Sequence, residues 1–167
     1  GITQIKKKGL RDLGATLAPQ SATAIALGME TLDLRLSRSQ HNAMQLATFL
    51  DNHPKVSKVF YPGLADHPQH FMAREYLNGG YGAILSFDLI DGADPVAFLN
   101  EMNLVICATH LGDNRTLALP VAPTIYFENT AEERELMGIS DTMLRISVGI
   151  EDTQDLIADF ETALNTI

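Results

Sequence analysis

The chain has 167 residues, 46% of them hydrophobic and 20% charged, which suits one globular domain that buries about two thirds of its unfolded surface and argues against disorder or a fibrous repeat. With 21 acidic against 12 basic residues the net charge is −9, so a nucleic-acid backbone and an anionic membrane surface are poor partners, leaving a small ligand or another protein. The lone cysteine, Cys107, excludes an intrachain disulfide, suits a reducing cytoplasm and is expected in the core.

Residues 1–18 are basic and then mixed, without a clear period, and read as a lead-in arm from a preceding region; a first residue of Gly1 rather than methionine hints at a longer parent. Lys6, Lys7 and Lys8 before an apolar stretch imitate a signal peptide only faintly, because Asp12 and Pro19 intervene and Glu30, Asp33 and Arg35 follow. No apolar run approaches the roughly 18 residues that span a bilayer. The expected location is the cytoplasm. From residue 21 to 52, Ile25, Met29, Leu32, Leu36, Ala43, Leu46 and Leu50 fall at helical spacing and predict one long amphipathic helix, bent at Gly28 and ended by His53-Pro54.

Residues 55–61 predict a strand closed by the Pro62-Gly63 turn, and residues 68–77 a short helix. After the loop 78–82, residues 83–89 predict a second strand in which Leu85, Phe87 and Leu89 oppose Ile84, Ser86 and Asp88. Asp94-Pro95 opens a helix to about residue 101, since the aspartate caps and proline suits the first helical position. Residues 104–108 predict a third strand, 109–114 a polar loop, 116–119 a strand stub and 120–129 an irregular loop. Thr130 and Glu133 match a capping box, and Gly138 suits the helix stop. Residues 142–148 predict the fourth strand, and Asp152 caps a last helix to about residue 164. The expected fold class is α+β: an α/β sandwich with a four-stranded, mostly antiparallel sheet, helices on one face and a long helix in front.

The fourth strand holds the most informative side chain. Alternation sends Leu144, Ile146 and Val148 one way and Met143, Arg145 and Ser147 the other. A guanidinium inside so apolar a run needs an anionic partner, and its planar fork suits a carboxylate or a phosphate. The partner can be a ligand or a protein carboxylate, or the side chain can face solvent.

Several phrases in order resemble the C-terminal domain of the Cys/Met-metabolism family of pyridoxal-phosphate (PLP) enzymes, which includes cystathionine synthases and lyases, methionine γ-lyase and O-acylhomoserine sulfhydrylases. They are Gly9-Leu-Arg-Asp-Leu-Gly14, Gly28-Met-Glu-Thr-Leu-Asp-Leu-Arg35, Asn42-Ala43, Tyr61-Pro-Gly-Leu64, Ser86-Phe87, Leu111-Gly112-Asp113 and Leu144-Arg-Ile-Ser-Val-Gly-Ile-Glu-Asp152. The resemblance implies the small domain of a fold-type I PLP transferase, with residues 1–18 an arm from an N-terminal PLP domain and 19–167 the substrate-side domain. It gives Arg145 the substrate α-carboxylate and places the loop Thr109-His110-Leu111-Gly112 beside it. His110 stands where the family commonly has serine or asparagine; a histidine there can donate to a carboxylate or shuttle a proton, or be a structural or solvated loop residue. Arg115 stands where cystathionine-processing members often carry a glutamate, which weakens a cystathionine-lyase assignment. The substrate-side set is thus Arg145, Thr109, His110 and Arg115.

The lysines are Lys6, Lys7, Lys8, Lys55 and Lys58, none in the Ser-x-Thr-Lys setting the family uses for its Schiff base, so no cofactor-binding or catalytic residue is expected here and the chain alone should be inactive. The resemblance implies a parent that uses PLP to eliminate or replace at Cγ or Cβ of a sulfur amino acid or O-acylhomoserine, commonly as a homotetramer. A stand-alone amino-acid-binding regulatory module and a structural oligomerisation domain are the alternatives. His67 and His70 are most simply loop residues, the glycines at 79–82 lack a phosphate-loop lysine, and Glu30, Asp33, Arg35 and Arg38 are most simply helix-surface ion pairs.

Overall fold

Among the described residues, the first unit of the computed structural model is helical; the structure describes residues 1–14 and 16–167 and divides into Gly1–Leu34 and Arg35–Ile167. Helices α1 (Ile2–Gln4) and α2 (Arg11–Leu13) flank a π-helical stretch, Ile5–Leu10, and Gly14 stops the run in the left-handed conformation at φ 66°. Residues 2–13 of the arm are therefore helical despite their lack of apolar period. Helix α3 (Pro19–Glu30) starts with proline at its first turn, after an extended Ala18. None of the described residues in this unit is buried.

The long helix expected over 21–52 is two helices. Helix α4 (Leu32–Asp51) begins after a break at Thr31, three residues beyond Gly28. Only the second half of the predicted stripe is core: Ala43, Leu46 and Leu50 are fully buried, joined by Ala47, whereas Ile25, Met29, Leu32 and Leu36 are exposed. A stripe shows which face is apolar, not what covers it.

The second unit is built on β1 (Val56–Phe60), β2 (Ile84–Leu89), β3 (Ile106–Cys107), β4 (Leu117–Pro120) and β5 (Met143–Ser147), ordered β1-β2-β5-β4-β3. The sheet has five strands rather than four, because the stub at 116–119 is a fully buried strand between β5 and β3. All pairs are antiparallel except β3 with β4. Parallel neighbours need a connection that returns across the sheet. Here residues 108–116 make that return without a helix, which is possible because β3 is only two residues long.

One sheet face carries the main core. Leu85, Phe87 and Leu89 of β2, with Leu144 and Ile146 of β5, meet α4, Phe98 of α6 (Pro95–Asn100), and Leu156, Phe160, Ala163 and Leu164 of α9 (Thr153–Leu164). Each leucine, isoleucine and phenylalanine among them contributes about 1.5–3 kcal/mol of transfer free energy. The caps are local: Asp94 accepts from Val96, Asp152 from Gln154 and Asp155, and Thr130 and Glu133 close the capping box of α8 (Ala131–Leu136). Buried Asp159 of α9 accepts from the backbone amides of Asn103 (2.8 Å), Leu104 (3.0 Å) and Val105 (3.3 Å), pinning the approach to β3.

The opposite face is not bare. Leu119, Val121 and Met143 form a smaller cluster there, and part of the loop expected over 120–129 is a short helix, α7 (Val121–Thr124). Helix α5 (His70–Tyr76) falls within the predicted segment 68–77. Cys107, expected in the core, is exposed, because β3 forms an edge of the sheet.

Candidate functional site around Arg145

Strand β5 lies at the centre of the sheet, with Arg145 opposite Ser86 of β2 and Leu119 of β4. Leu144, Ile146 and Val148 enter the main core, so Arg145 and Ser147 project from the other face, as the alternation requires. Arg145 is half-buried. Its Nη2 donates to the Thr109 carbonyl at 2.7 Å, and its Nε is buried without an acceptor. Among the described residues no carboxylate lies within salt-bridge distance of it. Among the described residues the guanidinium therefore keeps a buried donor, Nε, without an acceptor.

The connection 108–116 crosses this face. Thr109 is held by Arg145, and Gly112, at φ 77°, donates its backbone N–H to Ser147 Oγ at 3.0 Å. Ser147 is buried. Further along, Arg115 grips Asp113 through two parallel bonds, Nε to Oδ1 at 3.2 Å and Nη2 to Oδ2 at 3.1 Å, and its own backbone amide donates to Oδ1 at 3.0 Å. His110 Nε2 lies 3.2 Å from Asp113 Oδ2. Bonding to Arg115, with a smaller effect from His110, holds the Asp113 carboxyl well below the usual carboxylate range, and the same pair raises Arg115.

The structure thus brings together two of the four sequence-predicted site residues, Arg145 and Thr109. His110 and Arg115 are tied to Asp113 instead, with side chains 58% and 62% exposed. Asp113 is the residue that gathers this loop. Its position two residues before Arg115 is the spacing at which an aspartate side chain reaches a backbone amide, which is a signal the sequence contained.

A buried polar knot fixes the far end of β5. Gly149 N donates to Thr116 Oγ1 at 2.9 Å, and Thr116 donates to Glu151 through its backbone amide and through its hydroxyl, the latter at 2.8 Å. Asn42 Nδ2 donates to the carbonyls of Gly149 (3.1 Å) and Glu151 (2.9 Å), while Thr153 Oγ1 donates to Asn42 Oδ1 at 2.7 Å. Arg38 is not simply a helix-surface ion pair, because its Nη2 also donates to the Glu151 carbonyl at 2.9 Å. A Cβ on Gly149 would stand 2.4 Å from the Asn114 carbonyl oxygen. These contacts explain Asn42, Gly149 and Glu151 as structural partners of the arginine strand.

The sequence of the chain matches the model of a family described as Cys/Met metabolism PLP-dependent enzyme over residues 2–165. The chain belongs to the Cys/Met metabolism PLP-dependent enzyme family. It is 42% identical over 166 residues to an L-methionine gamma-lyase of Fusobacterium nucleatum subsp. polymorphum, covering 98% of the chain and 42% of that protein. It is 40% identical to O-acetyl-L-homoserine sulfhydrylase 1 of Thermus thermophilus, covering 98% of the chain and 39% of that protein. Among solved structures, a Campylobacter jejuni protein described as an O-acetylhomoserine (thiol)-lyase, bearing a pyridoxyl-lysine phosphate, matches with a TM-score of 0.87 and 34% identity over 98% of the chain and 39% of its own. A Xanthomonas oryzae cystathionine gamma synthase in complex with cystathionine matches with a TM-score of 0.81 and 39% identity, over 92% of the chain and 40% of its own. The chain spans about two fifths of the length of these relatives.

The family is PLP-dependent. A Schiff-base lysine is required. Lys55 Nζ donates to the Ile167 carbonyl at 2.6 Å, Lys58 Nζ stands 4.6 Å from the centre of the Phe60 ring, and Lys6, Lys7 and Lys8 lie in the first unit. His67 and His70 are engaged locally: His67 Nδ1 accepts from Gln69 N, and the His70 ring stacks on Tyr81 with Nδ1 2.9 Å from the Pro62 carbonyl.

Proposed function

We propose that this chain supplies the substrate side of a PLP-dependent enzyme, and that Arg145 binds the α-carboxylate of its amino-acid substrate. The observation that carries the proposal is the half-buried guanidinium on the central strand, which among the described residues has a buried Nε lacking an acceptor and no carboxylate within salt-bridge distance. A carboxylate ligand accepts two parallel bonds from such a fork. Residues 19–167 form the substrate-side domain and residues 1–18 an arm from a domain that holds the cofactor and its lysine, so the chain alone is inactive. Methionine gamma-lyase and O-acetylhomoserine sulfhydrylase relatives support a parent that eliminates or replaces at Cγ or Cβ of a sulfur amino acid or an O-acylhomoserine.

Within that range the distal end of the site favours a substrate without a second ammonium. The family resemblance puts Arg115 where cystathionine-processing members often carry a glutamate that favours a distal ammonium, and here that position holds a guanidinium paired with Asp113. This favours γ-replacement or methionine-type elimination over cystathionine cleavage. The parent is a cytoplasmic homo-oligomer, a tetramer as the family resemblance implies, and its partners are small amino acids rather than nucleic acid or membrane. The test is Arg145→Ala in the full-length protein. A charge-assisted clamp worth about 1.5–3 kcal/mol predicts a rise in KM for the amino acid of about ten- to hundredfold. An unchanged KM would remove the role from Arg145.

A further inference from the structure

We infer that Ser147 is a positioning residue for the Arg145 site, holding the loop 109–113 against β5 through its bond to Gly112. Ser147 lies two residues from Arg145 on the same strand, so both side chains leave the same sheet face. Its hydroxyl is buried, 2% of the residue being exposed, and accepts from Gly112 N at 3.0 Å. Gly112 sits at φ 77°, a conformation that aims its N–H into the sheet at a steric cost only glycine avoids. Three residues earlier the same loop presents the Thr109 carbonyl to Arg145 Nη2 at 2.7 Å.

The loop is thus tethered at two points to one strand, and the two tethers differ in kind. The bond from Arg145 to Thr109 orients the guanidinium, which turns the remaining edge of the fork toward a ligand. The bond from Gly112 to Ser147 orients the loop, and so fixes where the Thr109 carbonyl stands. Without Ser147 Oγ the loop keeps its bond from Arg145 at Thr109 and the tie of Ile150 N to the Asn114 carbonyl at 2.9 Å, but nothing among the described residues holds the stretch between them, because the bonds between Asp113 and Arg115 are internal to the connection. Gly112 N would then lack a protein acceptor and the loop would swing about Asp113. The fork would follow its acceptor out of register with the substrate.

The inference rests on the carboxylate role of Arg145, and the experiment separates the two. In the full-length PLP-loaded protein, Ser147→Ala is expected to raise KM for the amino-acid substrate about tenfold, the loss expected for one hydrogen bond, with kcat changed less than about threefold. The preference for the amino acid over its neutral carboxamide should narrow by a similar factor, a change that loss of bulk packing does not produce. Gly112→Ala gives a second variant that leaves the buried serine intact. A Cβ there meets nothing within 4 Å, so its strain stays in the loop, and the same KM rise and narrowed preference are expected. Arg145→Ala is run alongside. If it raises KM while Ser147→Ala and Gly112→Ala both keep the wild-type KM and carboxamide preference, the positioning role is overturned and the carboxylate role stands. If Arg145→Ala itself leaves KM unchanged, the carboxylate role fails and the inference falls with it.

Discussion

Gly149 gives the sharpest stability test of how the arginine strand is held. A methyl group added there would lie 2.4 Å from the Asn114 carbonyl oxygen and 2.6 Å from the Arg115 carbonyl carbon, whereas ordinary contact begins at 3.4 Å. Both are backbone atoms, so no side-chain rotation relieves the clash and the chain entering β4 must retreat by about 1 Å, a cost of roughly 1–3 kcal/mol for overpacking. That retreat stretches the bonds Ile150 N to Asn114 O and Gly149 N to Thr116 Oγ1, each 2.9 Å. Adding roughly 1 kcal/mol for each of these bonds gives about 3–5 kcal/mol in all. Urea denaturation of the Gly149→Ala chain should show this loss as a lowered midpoint at constant slope, with a fall in Tm of about 10 °C. Gly80→Ala is the control, because its Cβ meets only the amide end of Gln40, 2.2 Å away at the tip of a rotatable side chain. It should cost less than about 1 kcal/mol. A Gly149→Ala loss below about 1 kcal/mol, or equal losses at the two sites, would refute the claim that backbone approach dictates glycine at 149.

Two further outcomes follow from single carboxylates. Burial raises the pKa of Asp88, outweighing its bond from Ser140 and the nearby charge of Lys58. The folded state therefore holds this proton more tightly than the unfolded chain, and stability falls as pH rises from the ordinary value of 3.8 through the raised one. Asp88→Asn, which keeps an acceptor for Ser140, should gain Tm relative to wild type across that window and hold the gain to neutral pH; a difference that does not vary with pH would exclude the mechanism. Asp159→Ala strands three backbone amides at residues 103–105 and should cost about 3–5 kcal/mol in urea unfolding. A loss of only 1 kcal/mol or so would mean that water replaces the carboxylate.

What the sequence made legible is what depends on near neighbours along the chain. The alternation of Leu144, Ile146 and Val148 against Arg145 and Ser147 needs only the period of a strand, and the caps at Asp94, Thr130 and Asp152 need only three or four residues. The family phrases carried the rest. What stayed hidden depends on partners distant in sequence. Leu117–Pro120 announces only a strand stub, and its place as a full member of the sheet depends on β5 and β3 pairing with its two sides. Cys107 looks apolar enough for a core, but strand order puts it on an edge. The break at Thr31 and the exposure of Ile25 and Met29 show that helical spacing fixes neither the continuity of a helix nor the cover of its stripe. The substrate-side expectation for His110 and Arg115 comes from the family resemblance alone, and their contact with Asp113 depends on how the loop folds back on itself.

The geometry of the site is enforced by the core beneath it. Arg145 and Ser147 share a face because Leu144, Ile146 and Val148 occupy the other, and a slip of β5 by one residue would drive the guanidinium and the hydroxyl into Phe87, Phe160 and their neighbours. Such a slip would bury a charge without a partner, which costs several kcal/mol, so the hydrophobic pattern selects the register and the register selects the site. The arginine itself is unfavourable for folding: its Nε has lost water without gaining an acceptor, a penalty of about 1–3 kcal/mol. A β-branched residue opposite Ser86 and Leu119 would pack the strand better. Conflict between local packing and the residue present is what a binding face is expected to show, and here it falls on the central strand, which β2 and β4 hold in place on either side.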